Sequence, residues 1–147
     1  MNILFVCTGN TCRSPMAEGI LKSMLTKEDG IQVLSCGLFA SRGMSASENA
    51  ILAMREKGID ISNHRANNIN EDVINDADLI LTMTNSHKQM LIGAFGDGVK
   101  DKVYTVCEYV DMDGEISDPY GGNIACYKEC ADMLEGAIGE IYDKIRR

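Results

Sequence analysis

Apolar positions along this 147-residue chain switch repeatedly between compact runs suited to strands and stripes suited to helices. The alternation begins at residues 2–6, where Ile3, Leu4, Phe5 and Val6 form an unbroken apolar run. Such a compact run reads as a strand. It ends in a polar turn containing Gly9. Ser14 is then expected to cap a helix, with Pro15 at its first position, where a missing N–H costs nothing. Met16, Ile20 and Met24 beside Ala17, Leu21 and Leu25 fall in two rows four residues apart, one face of an amphipathic helix. Gly30 is expected to close it.

Residues 31–36 read as a second strand. A helix over 46–57 follows, with Ser45 and Glu48 as a capping box and Gly58 as the stop. Residues 78–83 form a third buried strand, and Ser86 with Gln89 begin a short helix. A fourth strand is expected at 102–106. A loop then runs through Asp118-Pro119-Tyr120-Gly121-Gly122. The last helix spans 124–146, with Tyr127, Cys130, Leu134, Ala137, Ile138, Ile141 and Ile145 on one stripe. Strands alternating with helices imply parallel neighbours joined by right-handed crossovers. The expected fold is α/β, a single doubly wound four-stranded parallel sheet flanked by helices, with one domain over residues 1–147. Ligands bind such sheets at the carboxyl ends of the strands, where the loops after residues 6 and 106 would open.

Composition narrows the class. The chain is 45% hydrophobic and 24% charged, ordinary for a soluble protein able to bury its own core. No segment has the apolar length to cross a bilayer, and residues 3–6 are too short, and lack the basic leader, for a signal peptide. The expected location is the cytoplasm, and a monomer is expected. Net charge is −8, from 14 basic and 22 acidic residues. Such a surface repels nucleic acid and anionic membranes, so neither is an expected partner. A phosphate ligand stays open, because a local pocket can be positive in a negative field.

Six cysteines could suggest disulfides, but a cytoplasmic chain with an adequate core argues against a framework. Cys126 and Cys130 share a helix face without a matching Cys/His pair, and the chain has two histidines, so no metal and no cofactor is expected. Cys36, Cys107, Cys126 and Cys130 read as small buried hydrophobes, and the nine methionines as core packing.

The chemistry is concentrated in Cys7-Thr8-Gly9-Asn10-Thr11-Cys12-Arg13-Ser14, between the first strand and the first helix. A phosphate dianion needs converging N–H donors, a helix N-terminus and a fixed cation. A tight loop with Gly9 supplies the donors, and Arg13 supplies a planar fork for two oxygens. The same field acts on Cys7, because a thiol with an ordinary pKa of ~8.5 is lowered by helix N-termini and neighbouring cations. Five intervening residues let the loop curl, placing sulfur below phosphorus and guanidinium beside it. Ser14 can hydrogen-bond the thiolate. A Walker loop is excluded, since its second Gly and its Lys are absent. The departing group must also be protonated, and Asp118 is the natural acid. Alone, Asp118-Pro119 is a turn signal; beside the Cys7 loop it gains a chemical meaning.

Val6-Cys7-Thr8-Gly9-Asn10-Thr11-Cys12-Arg13-Ser14-Pro15, followed much later by Asp118-Pro119-Tyr120, resembles the low-molecular-weight protein tyrosine phosphatase family nearly end to end. The resemblance implies a nucleophile at Cys7, a phosphate clamp at Arg13, and an acid at Asp118 that later activates water. It implies that Asn10 holds the loop open, with Ser35 and His64 as its support. Cys12 would be the redox partner of Cys7 in a reversible disulfide. Phosphorylated proteins would be the substrates.

Thr11 is the discriminating position. Tyrosine-directed members of that family usually carry Ile or Leu there, whereas Thr, with Gly121-Gly122 after Tyr120, resembles its bacterial protein-arginine phosphatases. A hydroxyl on the rim suits a guanidinium better than an aromatic ester, and Phe39 and Tyr120 could wall in the arginine stem. Phosphoarginine is therefore the expected substrate, with phosphotyrosine as the alternative. Arsenate reduction would need relay cysteines in 79–92, and there are none. A phosphocysteine carrier would need neither Arg13 nor Asp118.

Overall fold

The computed structural model describes all 147 residues. Four strands, β1 (Asn2–Cys7), β2 (Gln32–Gly37), β3 (Leu79–Thr82) and β4 (Val103–Thr105), form one sheet in the order β2-β1-β3-β4. Every pairing is parallel. Six α-helices accompany them: α1 (Arg13–Met24), α2 (Glu48–Arg55), α3 (Glu71–Asp76) and α4 (Asn85–Phe95) between strands, and α5 (Val106–Tyr109) and α6 (Ile124–Ile145) after the last. No helix is long and apolar enough to cross a membrane.

The unbroken apolar run at the start follows from β1 lying inside the sheet with both faces covered. Ile3, Phe5 and Cys7 face a core of 27 buried residues built with α1, α2 and α6. Leu4 and Val6 face a second core of nine, built with α3 and α4. Successive side chains of a strand point to opposite faces, so one run feeds both cores. In α6 the expected stripe is the buried face, joined by Ala131, with Ile145 partly buried at its end. α6 packs against α1 and α2.

Several expected boundaries move. α1 begins at Arg13, one residue before the expected cap, because Ser14 is buried inside the first turn and engaged with Cys7. It ends at Met24, and Leu25 turns extended. Gly30 instead closes a separate single turn of 3-10 helix over Lys27–Asp29, with φ +65°. α2 is capped by Ser47, whose hydroxyl accepts from the Ala50 amide, while Ser45 is taken up in a bridge to Arg65. α4 is capped by Thr84 rather than Ser86. The short helices α3 and α5 escaped the periodicity. Cys126 is exposed in the first turn of α6, unlike Cys36, Cys107 and Cys130, which are buried as expected.

Candidate active site

The loop between β1 and α1 curls at the carboxyl edge of the sheet. Its backbone is held from β2: Leu38 N–H donates to the Cys7 carbonyl at 3.0 Å, and Phe39 N–H to the Thr8 carbonyl at 2.9 Å. Gly37 makes this approach possible, since a Cβ there would lie 2.6 Å from the Thr8 oxygen. The amides of Thr8, Gly9, Thr11 and Cys12 bond to no other group of the chain. They are left for an anion at the start of α1, where helix geometry leaves further N–H groups unpaired.

Asn10 is the loop's internal brace. It is fully buried and adopts φ +56°, a left-handed conformation that Asn tolerates better than most residues. Its Nδ2 donates to Ser14 Oγ at 2.9 Å and to Ser35 Oγ at 3.0 Å, and its Oδ1 accepts the Asn67 amide at 3.0 Å. Ser35 in turn donates to Glu18 at 2.6 Å. His64 Nε2 lies 2.7 Å from the Asn10 carbonyl. A carbonyl only accepts, so Nε2 carries the proton. Ser35 and His64, which the resemblance assigns to its support, both contact Asn10.

Ser14 Oγ accepts from Asn10 and lies 2.8 Å from Cys7 Sγ, so its own proton is available to a thiolate there. The Asn10 amide adds a second donor to the sulfur at 3.3 Å. Two donors aimed at one sulfur suit negative charge there. Arg13 is 4% exposed; Nη1 donates to the Ile116 carbonyl at 2.9 Å, and Nη2 lies 3.5 Å from Asp118 Oδ2. Asp118 is half-exposed, and its Oδ1 accepts the Tyr120 amide at 3.0 Å.

These groups surround a cavity of about 220 Å³ lined by Cys7, Thr8, Gly9, Thr11, Cys12, Arg13, Asp118 and Tyr120. Phe39 is not part of the lining; the residue is 69% exposed, and only its backbone supports the loop. Cys12 Sγ sits 3.4 Å from Tyr127 Oη and 3.5 Å from Ser47 Oγ, and all six thiols are free. Burial pushes Cys36 and Cys130 up to about 12, with the charge of Cys7 adding to the effect at Cys36. Both are therefore held as neutral thiols. The sequence reading missed Gly37, Glu18, Asn67 and His87. Gly37 had a usable signal, a glycine ending a strand on the ligand-binding edge; the other three carried none.

A cysteine, an arginine and a carboxylate share one anion-shaped cavity, and the family comparison agrees. The profile described as Low molecular weight phosphotyrosine protein phosphatase matches residues 2–147. The chain belongs to this family. The protein-arginine-phosphatase of Bacillus subtilis (strain 168) is 42% identical, covering 100% of this chain and 98% of that protein. The low molecular weight protein-tyrosine-phosphatase PtpB of Staphylococcus haemolyticus is also 42% identical, over 96% of this chain and 97% of its own. A solved structure of the YwlE arginine phosphatase, a C7S mutant with a phosphorylated active-site serine, superposes with a TM-score of 0.93 at 40% identity. It covers 100% of this chain and 97% of the other.

Proposed function

We propose that this protein hydrolyses phosphoarginine in proteins through a phosphocysteine at Cys7. The observation that carries the reading is the convergence of Cys7 Sγ, the Arg13 guanidinium and Asp118 on one cavity. In the first step Cys7 sulfur attacks phosphorus and the P–N bond breaks. Arg13 and the loop amides hold the phosphoryl oxygens as charge spreads over them. Asp118, in its protonated form, gives its proton to the departing guanidino nitrogen. In the second step Asp118 takes a proton from water, which attacks the phosphocysteine and releases inorganic phosphate. A serine that takes up phosphate in the arginine phosphatase relative supports a covalent route.

Substrate choice rests on Thr11. Relatives acting on arginine and on tyrosine match equally well in identity, so overall likeness does not decide. A hydroxyl in the cavity wall favours a polar, planar cation over an aromatic ring, and Asp118 offers that cation a charge partner. Tyr120 forms the outer wall for the stem. The second reading, phosphotyrosine, is favoured by the family description itself. Comparing kcat/KM on phosphoarginine and phosphotyrosine peptides tests the choice: wild type should prefer phosphoarginine, and Thr11→Ile should move the ratio toward phosphotyrosine. An unchanged ratio removes Thr11 as the selector. Cys12, in the same cavity wall, would form a disulfide with Cys7 when peroxide takes two electrons from the pair. The setting we propose is a single-domain monomer in the cytoplasm, with phosphorylated proteins as its partners.

A further inference from the structure

Thr8, in the cavity wall, meets His87 from a different element, the first turn of α4. Thr8 Oγ1 lies 2.9 Å from His87 Nε2. The histidine is 6% exposed, and its Nδ1 has neither a partner nor solvent. Its backbone N–H donates to Thr84 Oγ1 at 3.2 Å, so the ring stands on a capped helix start. Neither step of the reaction proposed above uses this pair.

The ring has one proton to place. Burial, and then the charge of Arg13, hold His87 down to about 4, although Asp118 and Glu115 pull the other way. At neutral pH the ring is therefore uncharged. A proton on Nδ1 would be a buried N–H without an acceptor. A proton on Nε2 leaves only a lone pair unmatched at Nδ1. Orphaned buried donors are the rarer of the two, so the proton belongs on Nε2 and is donated to Thr8 Oγ1. The Thr8 oxygen then accepts, and its own proton is free to turn elsewhere. Thr8 lines the phosphoryl cavity.

We propose that His87 is a positioning residue: by donating to Thr8 Oγ1 it turns the Thr8 hydroxyl proton into the cavity, toward a phosphoryl oxygen of the substrate. The proposal rests on residues 7–14 being a phosphoryl cradle and adds a side-chain donor to it.

The tautomer is read directly by long-range proton–nitrogen correlation spectra of the full-length protein at neutral pH. The expected signature is Nε2–H; an Nδ1–H or charged ring overturns the proposal, with or without turnover. The second arm uses a small aryl phosphate, which presents the phosphoryl group without a guanidine. Thr8→Val and His87→Phe should each lower kcat/KM by about tenfold, the loss expected for one charge-assisted hydrogen bond. The double variant should lose no more than either alone, and His87→Gln, which restores an N–H donor, should recover most of the activity. A merely structural His87 would give losses independent of Thr8, so additive losses overturn the proposal, as does a Thr8→Val enzyme with unchanged kcat/KM. Should His87→Phe fail to fold, the tautomer and Thr8→Val still decide. A wild type inactive on every phosphoryl substrate would instead sink the phosphatase reading, while the spectra would still judge the His87–Thr8 pair.

Discussion

Asn10 spends every polar atom of its side chain on other parts of the loop and its supports, and this explains why a short loop can keep four amides free. Asn10→Ala deletes three hydrogen bonds and places Ala at φ +56°, so stability should fall by about 2–4 kcal/mol in denaturant titrations. Gly37→Ala acts from the outside. Its Cβ would press on the Thr8 oxygen at 2.6 Å and stand 3.1 Å from the Asn10 nitrogen. Overpacking of this kind costs about 1–3 kcal/mol, and because it displaces the loop, kcat/KM should fall further than stability suggests. His87 gives a pH-dependent prediction. Its ring charges near 6.5 when unfolded but only near 4 when folded. Between these values the unfolded chain binds the extra proton. This contribution to stability is therefore complete above about pH 6.5, declines as acid is added, and is gone by about pH 4. The decline should amount to about 1–3 kcal/mol, and His87→Gln should flatten that part of the profile.

Among the elements, those that matter most to the site were the easiest to read. β1 announces itself because both its faces are buried, and α6 because its stripe runs unbroken from Tyr127 to Ile141. Tertiary demands moved the ends. Ser14 looks like a cap from its neighbours alone, yet the thiol and Asn10 claim its hydroxyl, so α1 starts without a side-chain cap. Ser45 lost its expected role to a bridge with Arg65, and Ser47 took it. Ser47→Ala should accordingly cost about 1 kcal/mol in thermal unfolding, and Ser45→Ala less. α5, at four residues, is too short to show a period, although Thr105 and Glu108 form a capping box that marks its start. Of the brace around Asn10, Ser35 and His64 were legible only through resemblance and Asn67 not at all, because they lie 25, 54 and 57 residues away in sequence.

At the scale of the whole molecule, the fold gathers one side of the chemistry from each end of the chain. Cys7 and Arg13 come from the first crossover, while Asp118 comes from the segment between β4 and α6. The Arg13 bond to the Ile116 carbonyl ties these two regions together, so the position of Asp118 depends on Arg13. Arg13→Lys keeps a charge but loses the planar fork, and should lower kcat/KM by about 100-fold or more on any phosphoryl substrate. An acidic surface and a basic cavity floor coexist because the guanidinium is buried at the end of a helix start. The most direct measurement is rapid-quench mass spectrometry of Asp118→Asn mixed with a nitrophenyl phosphate, whose leaving group departs without a proton, so that loss of the base slows only release of the bound phosphoryl group. A phosphate adduct on the peptide that carries Cys7, absent from Cys7→Ala/Asp118→Asn, is the predicted result. Dephosphorylation of the substrate with Cys7 never carrying phosphate would contradict the account.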